Sequence, residues 1–472
     1  MRRFDLCVIG SGPAGQKAAI QASKLGKNVC LIERATTLGG AAVNTGTIPS
    51  KALREAILNL GGCMSIVPRS ADFAQAAKGA TLSSLWQACD NVIRAEIDLV
   101  RNHLQRNHIT VMSGVGRFAG ANKIEILGEH VCETIEADFT IIAVGTRPAR
   151  PSNITFDDTD VITSDELLHL KTLPHSMIVV GGGVIGTEYA SMLSALGVKV
   201  TLVEGRGRLL DFVDAELTEA LQYHLRSGGM TLRFGEKVVT IRRVEAVAGA
   251  RSDNQFMAEA VMESGKVLRA DCLLYAIGRQ GATDDLNLAA AGLAADSRGR
   301  IKVGEHFQTD VSNIYAVGDV VGFPALASTG MEQGRLAACH MFGFPRDNLE
   351  NLLPYGIYSV PEISMVGWTE EKLTEDGIPY ESGIAQYKEI ARGQLLGDEI
   401  GMLKLLIHQE SHAILGVHII GTGATELVHI GQCAIAFKAT VEYFVNTVFN
   451  YPTLAECYKV AALNGLNKLR NV

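Results

Sequence analysis

The sequence predicts a multidomain α/β chain, and three observations predict it. Two glycine-rich turns, far apart, each sit between a short apolar run and a helical pattern. The last third alternates in the manner of strands before taking on helical periodicity. The length of 472 residues exceeds what one hydrophobic core organises, so roughly three domains are expected.

Phe4 to Ile9 forms the first apolar run and leads into Gly10-Ser11-Gly12-Pro13-Ala14-Gly15. A helical pattern to Leu25 and a second apolar run, Asn28 to Ile32, end at Glu33. Strand, glycine turn, helix, strand and acid together make a Rossmann-like dinucleotide-binding unit. Gly10 permits the tight turn, Gly12 lets backbone reach a pyrophosphate, and Gly15 lets the helix pack closely. The helix N-terminus offers its N–H groups to the phosphates. Glu33, 18 residues past the last glycine, is the expected acceptor for ribose hydroxyls. The same grammar returns at Met177 to Val180, Gly181-Gly182-Gly183-Val184-Ile185-Gly186, a helix through Leu196, and Lys199 to Val203 ending at Glu204. Two such units imply two nucleotides, one held and one exchanging, which makes a hydride relay.

Composition excludes several other classes. A formal charge of -8 with no basic patch gives no indication of nucleic-acid binding. The nine cysteines are scattered, odd in number and never spaced Cys-x-x-Cys, which suits a reducing compartment rather than a disulfide framework or a zinc site. Arg2 and Arg3 ahead of Leu6 to Ile9 imitate the start of a signal peptide, but the glycines at 10, 12 and 15 interrupt the apolar run too early. No stretch is long enough to cross a bilayer, and a cytoplasmic protein is expected.

The segment Gly39-Gly40-Ala41-Ala42-Val43-Asn44-Thr45-Gly46-Thr47-Ile48-Pro49-Ser50-Lys51 resembles the active-site segment of the pyridine nucleotide–disulfide oxidoreductases, the superfamily of lipoamide dehydrogenase and glutathione reductase. Members usually read Cys-x-x-x-x-Cys there, and Ala42 and Thr47 stand in place of both cysteines. Alanine and threonine form neither disulfide nor thiolate, so electron transfer between flavin and a dithiol/disulfide substrate by the usual route, as in reduction of lipoamide or glutathione disulfide, is not expected. The resemblance covers essentially the whole chain. It implies FAD at the first motif, NAD(P) at the second, and a C-terminal α+β dimerisation domain, hence a homodimer with higher association open.

Further segments carry the resemblance. Thr309 to Val317, followed by Gly318-Asp319, looks like the family's return to FAD, with Asp319 on the ribityl chain. Ile141 to Pro148 and Leu274 to Arg279 resemble the two crossings between domains. The implied boundaries are 1–150 with 280–348 for FAD, 151–279 for NAD(P), and 349–472 for dimerisation. Phe449-Asn450-Tyr451-Pro452-Thr453-Leu454-Ala455-Glu456 stands where disulfide reductases carry His-Pro-Thr-x-x-Glu, so Tyr451 replaces the base that serves the thiols. Tyrosine titrates near 10 and shuttles protons poorly at neutral pH. Packing is the expected role for Tyr451.

Gly46 to Arg54, Ile357 to Ser364, Phe449 to Thr453 and Val460 to Asn467 narrow the resemblance to the soluble, energy-independent NAD(P) transhydrogenase group. Some members of that group keep a cysteine at the position of Ala42, and this chain departs from them there. The implied cycle is ping-pong: NADPH gives hydride to flavin N5 and leaves, and NAD takes it from the same site, or the reverse. Lys51 and Glu188 are implied as an ion pair beside N5 and as the catalytic groups. FAD is expected to be held by Gly10, Gly12, Pro13, Ala14, Gly15, Glu33, Gly40, Thr47, Lys51, Gly116, Gly145, Thr146, Gly318, Asp319 and Ala327. NAD(P) is expected at Gly181, Gly183, Val184, Ile185, Gly186, Glu188, Glu204, Arg206, Arg208 and Gly278. Glu204 favours the 2'-hydroxyl of NAD, while Arg206 and Arg208 suit the 2'-phosphate of NADP.

Two alternatives stay open. An NAD(P)H:quinone reductase or diaphorase would admit a quinone over the apolar Ala41 and Ala42. A flavin-containing regulator would have lost turnover with its thiols, though both nucleotide motifs are intact. Among other residues, His408 and His412 lack the acidic neighbour of a metalloprotease pattern, and no metal is expected. His429 reads as core or interface, and Cys7, Cys30 and Cys272 as small buried hydrophobes.

Overall fold

The computed structural model describes residues 1–60, 82–128, 132–246, 255–344 and 352–469. The chain divides into two compact units. The first joins Met1–Leu53, Trp86–Ala149 and Gly278–Glu350, and the second joins Arg54–Leu85, Arg150–Ile277 and Asn351–Val472.

The first unit is built on a seven-stranded sheet. Its parallel part runs Thr110–Ser113, Val29–Glu33, Arg2–Ile9, Cys132–Ile142, with Ile314–Ala316 also parallel to Cys132–Ile142. Lys123–Leu127 and Val115–Gly120 extend it antiparallel. The opening strand has no polar side after Asp5 because both of its faces are covered. Leu6 and Val8 pack in one cluster with Ala18, Leu31 and Val317, while Cys7 and Ile9 pack in another with Ile32, Phe118 and Ile142. Helices Pro13–Lys24 and Ala327–Met341 cover the first of these faces closely. A Cβ at Gly334 would overlap the carbonyl of Ala14, so glycine sets that approach.

The second unit contains three sheets. A parallel one runs Thr231–Phe234, Lys199–Glu204, Ser176–Val180, Cys272–Tyr275, Val161–Ile162. Val238–Glu245, Phe256–Met262 and Val267–Ala270 make a three-stranded antiparallel sheet. The C-terminal sheet is antiparallel in the order Tyr355–Ile357, Ile363–Gly367, Ile414–Ile420, Met402–His408, Tyr380–Gln386. Helices Ala424–Ala436 and Glu456–Leu469 accompany it, so the expected strands and helix of the last third are present.

The alternation in those strands carries a surprise. Lys404 and His418 are directly paired across the sheet and both are wholly buried, so neither faces solvent as the polar member of an alternating strand would. Lys404 Nζ instead meets Asp214, Glu216 and Glu370 at 3.0, 2.9 and 2.8 Å. His418 Nε2 bonds the carbonyl of Trp368 at 2.8 Å. Of the two expected places for His429, core or interface, the core is ruled out: it is exposed on its helix within the chain, with Nδ1 against Gln432 Oε1. Cys7, Cys30 and Cys272 are buried as expected.

Candidate functional site

Both glycine turns are built alike. Gly10 has φ +111° and Gly181 φ +112°, a backbone region that L side chains avoid. A Cβ on Gly10 would collide with the carbonyl of Ala143, and one on Gly181 would lie 2.8 Å from the carbonyl of Ala276. Gly15 and Gly186 pack their helices against the carbonyls of Gly10 and Gly181, respectively. At the middle glycines the situation reverses: among the described residues, no atom lies within 4 Å of a Cβ placed on Gly12 or Gly183. Those two glycines are the N-caps of helices Pro13–Lys24 and Val184–Ala195, and among the described residues no side chain caps either helix. Each turn is therefore an open cradle with N–H groups at its rim, which fits a pyrophosphate. Pro13, the first residue of its helix, gives up no useful N–H there, and Ala14 is buried beside it.

The two acids are likewise equivalent. Glu33 Oε2 accepts from Ser11 N at 2.9 Å and from Ser11 Oγ at 2.6 Å, and Oε1 accepts from Ala35 N at 2.8 Å. Glu204 Oε2 accepts from Gly182 N at 2.6 Å, and Oε1 from Arg206 N at 2.9 Å. Burial works to raise the Glu204 carboxyl, but hydrogen bonds from the Arg206 side chain and from the Arg206 and Gly182 amides outweigh it and hold the group below the ordinary carboxylate value. The fixed acids stand at strand ends beside the cradles, where ribose hydroxyls would be read.

Elsewhere in the first unit, Asp319 follows the strand Ile314–Ala316 and accepts from Thr146 Oγ1 at 3.2 Å. Arg279 donates to Thr146 Oγ1 and to the Thr146 carbonyl, both at 2.8 Å. Strands Thr146–Pro148 and Arg279–Gly281 pair antiparallel, so the two crossing segments run side by side. Gly318 donates its N–H to Gln333 Oε1 at 2.7 Å and has φ +79°. Ala327 opens a helix whose N-cap, Leu326, has no side-chain cap among the described residues. Gly40 would place a Cβ 2.8 Å from the Cα of Gly12, which brings the segment of Ala42 up to the first cradle. Gly116 packs on Ile32, and Gly145, with φ +65°, is open.

Ala42 lies in the short helix Gly40–Asn44 and Thr47 opens the helix Thr47–Leu60. Lys51 sits one turn later, with Nζ 3.3 Å from Ser50 Oγ. In the second unit Glu188 is buried in Val184–Ala195 and accepts from Tyr358 N at 2.8 Å. Ser191 Oγ accepts from Val360 N at 3.0 Å and thereby fixes the same turn. Val184 and Ile185 begin that helix half-buried, and Gly278, two residues past the Ala276 that Gly181 approaches, has φ +79°. Arg206 and Arg208 both stand paired with carboxylates, Arg206 with Glu204 and Asp211, Arg208 with Glu371. Tyr451 is 69% exposed in the chain, so it fills no interior space there.

Asp214, Glu216 and Glu370 converge closely enough to hold a cation. The cation between them is Lys404. Sequence reasoning gave no role of their own to Ser11, inside the first glycine motif, or to Arg279, at the end of the second crossing segment, and it missed Gln333, Asp211 and Glu371, which belong to no spaced pattern. For Arg279 the adjoining Gly278 was the available signal.

This pair of cradles, fixed acids and a returning aspartate defines a two-dinucleotide oxidoreductase, and the chain belongs to the pyridine nucleotide-disulphide oxidoreductase family, whose model matches residues 4–334. The model of that family's dimerisation domain matches residues 353–462. More narrowly, the chain is 52% identical over 472 residues to a soluble pyridine nucleotide transhydrogenase of Mycobacterium bovis, covering 100% of this chain and 98% of that one. It is 43% identical to one of a Marinomonas species, covering 99% of each. Among solved structures, the HOCl-induced flavoprotein disulfide reductase RclA from Escherichia coli superposes with a TM-score of 0.85 at 25% identity, covering 98% of this chain and 99% of that one. Family membership makes the chain a flavin- and pyridine-nucleotide-dependent oxidoreductase. Among the described residues, no helix is long and apolar enough to cross a membrane.

Proposed function

We propose that the chain is an FAD-dependent NAD(P) transhydrogenase that passes hydride between NADPH and NAD without a redox disulfide. The observation that carries this reading is the combination of two intact cradles with Ala42 and Thr47 in place of both thiols. Full-length likeness to proteins named transhydrogenases supports it. FAD, when bound, supplies the group that accepts hydride from one nicotinamide and returns it to the next.

The first cradle, Gly10 to Gly15, binds the FAD pyrophosphate, with Glu33 on the adenosine ribose and Asp319 on the ribityl side. Gly40, Thr47, Gly116, Gly145, Thr146, Gly318 and Ala327 complete that site, in a domain of residues 1–150 and 280–348. The second cradle, Gly181 to Gly186, takes the exchanging nucleotide in a domain of residues 151–279, with Glu204, Arg206 and Arg208 reading the 2' position and Gly278 at the crossing. Lys51 would supply a cation and Glu188 a carboxylate to the bound flavin's site, and the cation would favour negative charge developing there. Residues 349–472 make the homodimer, matching the family's dimerisation domain. A cytoplasmic setting fits the free thiols among the described cysteines.

Anaerobic stopped-flow tests the reading. The purified holoprotein is reduced with stoichiometric NADPH and mixed with NAD while flavin absorbance and NADH are followed. Rapid reoxidation with matching NADH is expected. A flavin that stays reduced until a quinone is added would move the assignment to a quinone reductase.

A further inference from the structure

The loop after Glu204 sets its two arginines against carboxylates. Arg206 commits all three guanidinium nitrogens to carboxylates: Nε to Glu204 Oε1 and Nη2 to Glu204 Oε2, both at 3.0 Å, and Nη1 to Asp211 Oδ1. Arg208 donates through Nη1 to Glu371 Oε1 at 3.2 Å and through Nη2 to the carbonyl of Asp211 at 2.9 Å. Glu371 comes from a distant part of the same unit and is itself anchored, since its Oε1 also accepts from Ala215 N at 2.9 Å. Three carboxylates thus face two guanidinium groups at the end of the strand proposed to read ribose, one net negative charge among these five side chains.

We propose that Asp211 and Glu371 set the balance between NAD(H) and NADP(H) by acting as counter-charges that Arg206 and Arg208 must give up to engage a 2'-phosphate. This rests on the reading above that the second motif holds the exchanging nucleotide. A 2'-hydroxyl asks for one acceptor site on Glu204, whose sites are taken by Gly182 N and by Arg206 through N, Nε and Nη2, so it needs the release of a single bond of the clamp. A 2'-phosphate brings nearly two negative charges against a net-negative cluster and has to draw the arginines to itself. Asp211 and Glu371 are 48% and 42% exposed, and pairs so exposed are weak. The clamp therefore yields to phosphate without excluding it, which is what one site serving both nucleotides requires. Both carboxylates are positioning residues here: they act through the arginines and touch no reacting atom.

The test is calorimetric titration of the wild-type holoprotein, Asp211→Asn and Glu371→Gln with 5'-AMP and with adenosine 2',5'-bisphosphate, which differ only at the 2' position. Asparagine and glutamine keep an acceptor oxygen but remove the charge. In each variant the bisphosphate is expected to bind about five- to tenfold tighter, as loss of one repelling charge near a surface predicts, while AMP changes less than about twofold. Added salt should shrink the gain. Equal shifts for both probes, or no tightening toward the bisphosphate in either variant, would overturn the proposal. So would a wild-type protein that binds neither probe. Because the probes lack nicotinamide, a protein that discriminates them as expected yet passes no hydride refutes the transhydrogenase reading and leaves this one supported.

Discussion

Gly182 donates its N–H to Glu204 Oε2 at 2.6 Å, and 171 positions earlier Ser11 donates to Glu33 Oε2 at 2.9 Å, so the second residue of each glycine turn is tied to the acid 22 residues on. The bond locks the turn to the end of the neighbouring strand and aims the carboxylate toward the cradle. It does so with a backbone donor, which is why serine serves in one unit and glycine in the other. Ser11 adds its hydroxyl to the same oxygen and accepts from Gly39 N at 2.9 Å, linking the first turn to the segment of Ala42.

Gly182 is the more constrained of the two. A Cβ there would lie 2.7 Å from Leu209 Cδ2 and 3.0 Å from Glu204 Oε2, so Gly182→Val must displace the acid. The expected outcome is a yellow protein with its flavin retained, reduced by NADPH and NADH at least about tenfold more slowly, consistent with a shift of the nucleotide by roughly an ångström. Flavin content and the reductive half-reaction measure the two separately.

Both βαβ units were legible because Gly10 and Gly181 take a backbone region that L side chains avoid, Gly15 and Gly186 leave no room for a Cβ, and their strands are largely apolar. The end of the second strand was harder to read. Arg206 and Arg208 were recognisable as charges, but Glu371 reaches Arg208 from 163 positions away, and no local pattern announces such a partner. Lys404 and His418 show a related limit. Their alternation describes a strand correctly, yet burial of the polar face depends on Asp214, Glu216 and Glu370, which lie elsewhere in the chain.

Lys404 gives a stability prediction with a defined pH window. Burial alone would lower the Lys404 pKa, but hydrogen bonds and charge from Glu370, Asp214 and Glu216 outweigh it and raise the group. Burial would likewise raise Asp214, and nearby His418 and Lys404 bring it below its ordinary value. The lysine's contribution is complete below its unfolded pKa near 10.4 and is lost as pH rises through the folded value; the aspartate's is complete above about 3.9 and is lost as pH falls through its folded value. Lys404→Met leaves the carboxylates facing one another. It should cost about 3 kcal/mol, the low end for breaking a buried pair because Glu216 and Glu370 reach solvent. The melting-temperature difference from wild type should be nearly constant between about pH 5 and pH 9. A difference that disappears within that range would show that another group dominates.

Tyr451 tests whether the thiol base has any remaining task. Hydride exchange between nicotinamide and flavin moves no thiol proton, and the side chain is largely exposed within the chain. Tyr451→His should therefore leave both half-reactions within about twofold of wild type and introduce no inflection near the histidine pKa of about 6.5 in the pH–rate profile.

Lys51 carries the electrostatic part of the proposed mechanism. The side chain lies one helical turn beyond Thr47, on the helix that replaces the usual dithiol segment, with Nζ near Ser50 Oγ. A fixed cation there would favour reduced, negatively charged flavin over the oxidised form, and Lys51→Met keeps the length of the side chain while removing that charge. The variant should bind FAD yet show a lower flavin midpoint potential, and reduction by NADPH should slow by about ten- to a hundredfold, the range expected for loss of one preorganised electrostatic contact. Lys51→Arg separates charge from packing: it should restore most of the potential, while its bulkier planar head group restores the rate only in part. Spectroelectrochemical titration beside single-turnover reduction gives both quantities. A Lys51→Met protein with unchanged potential and unchanged reduction rate would remove this lysine from the reaction.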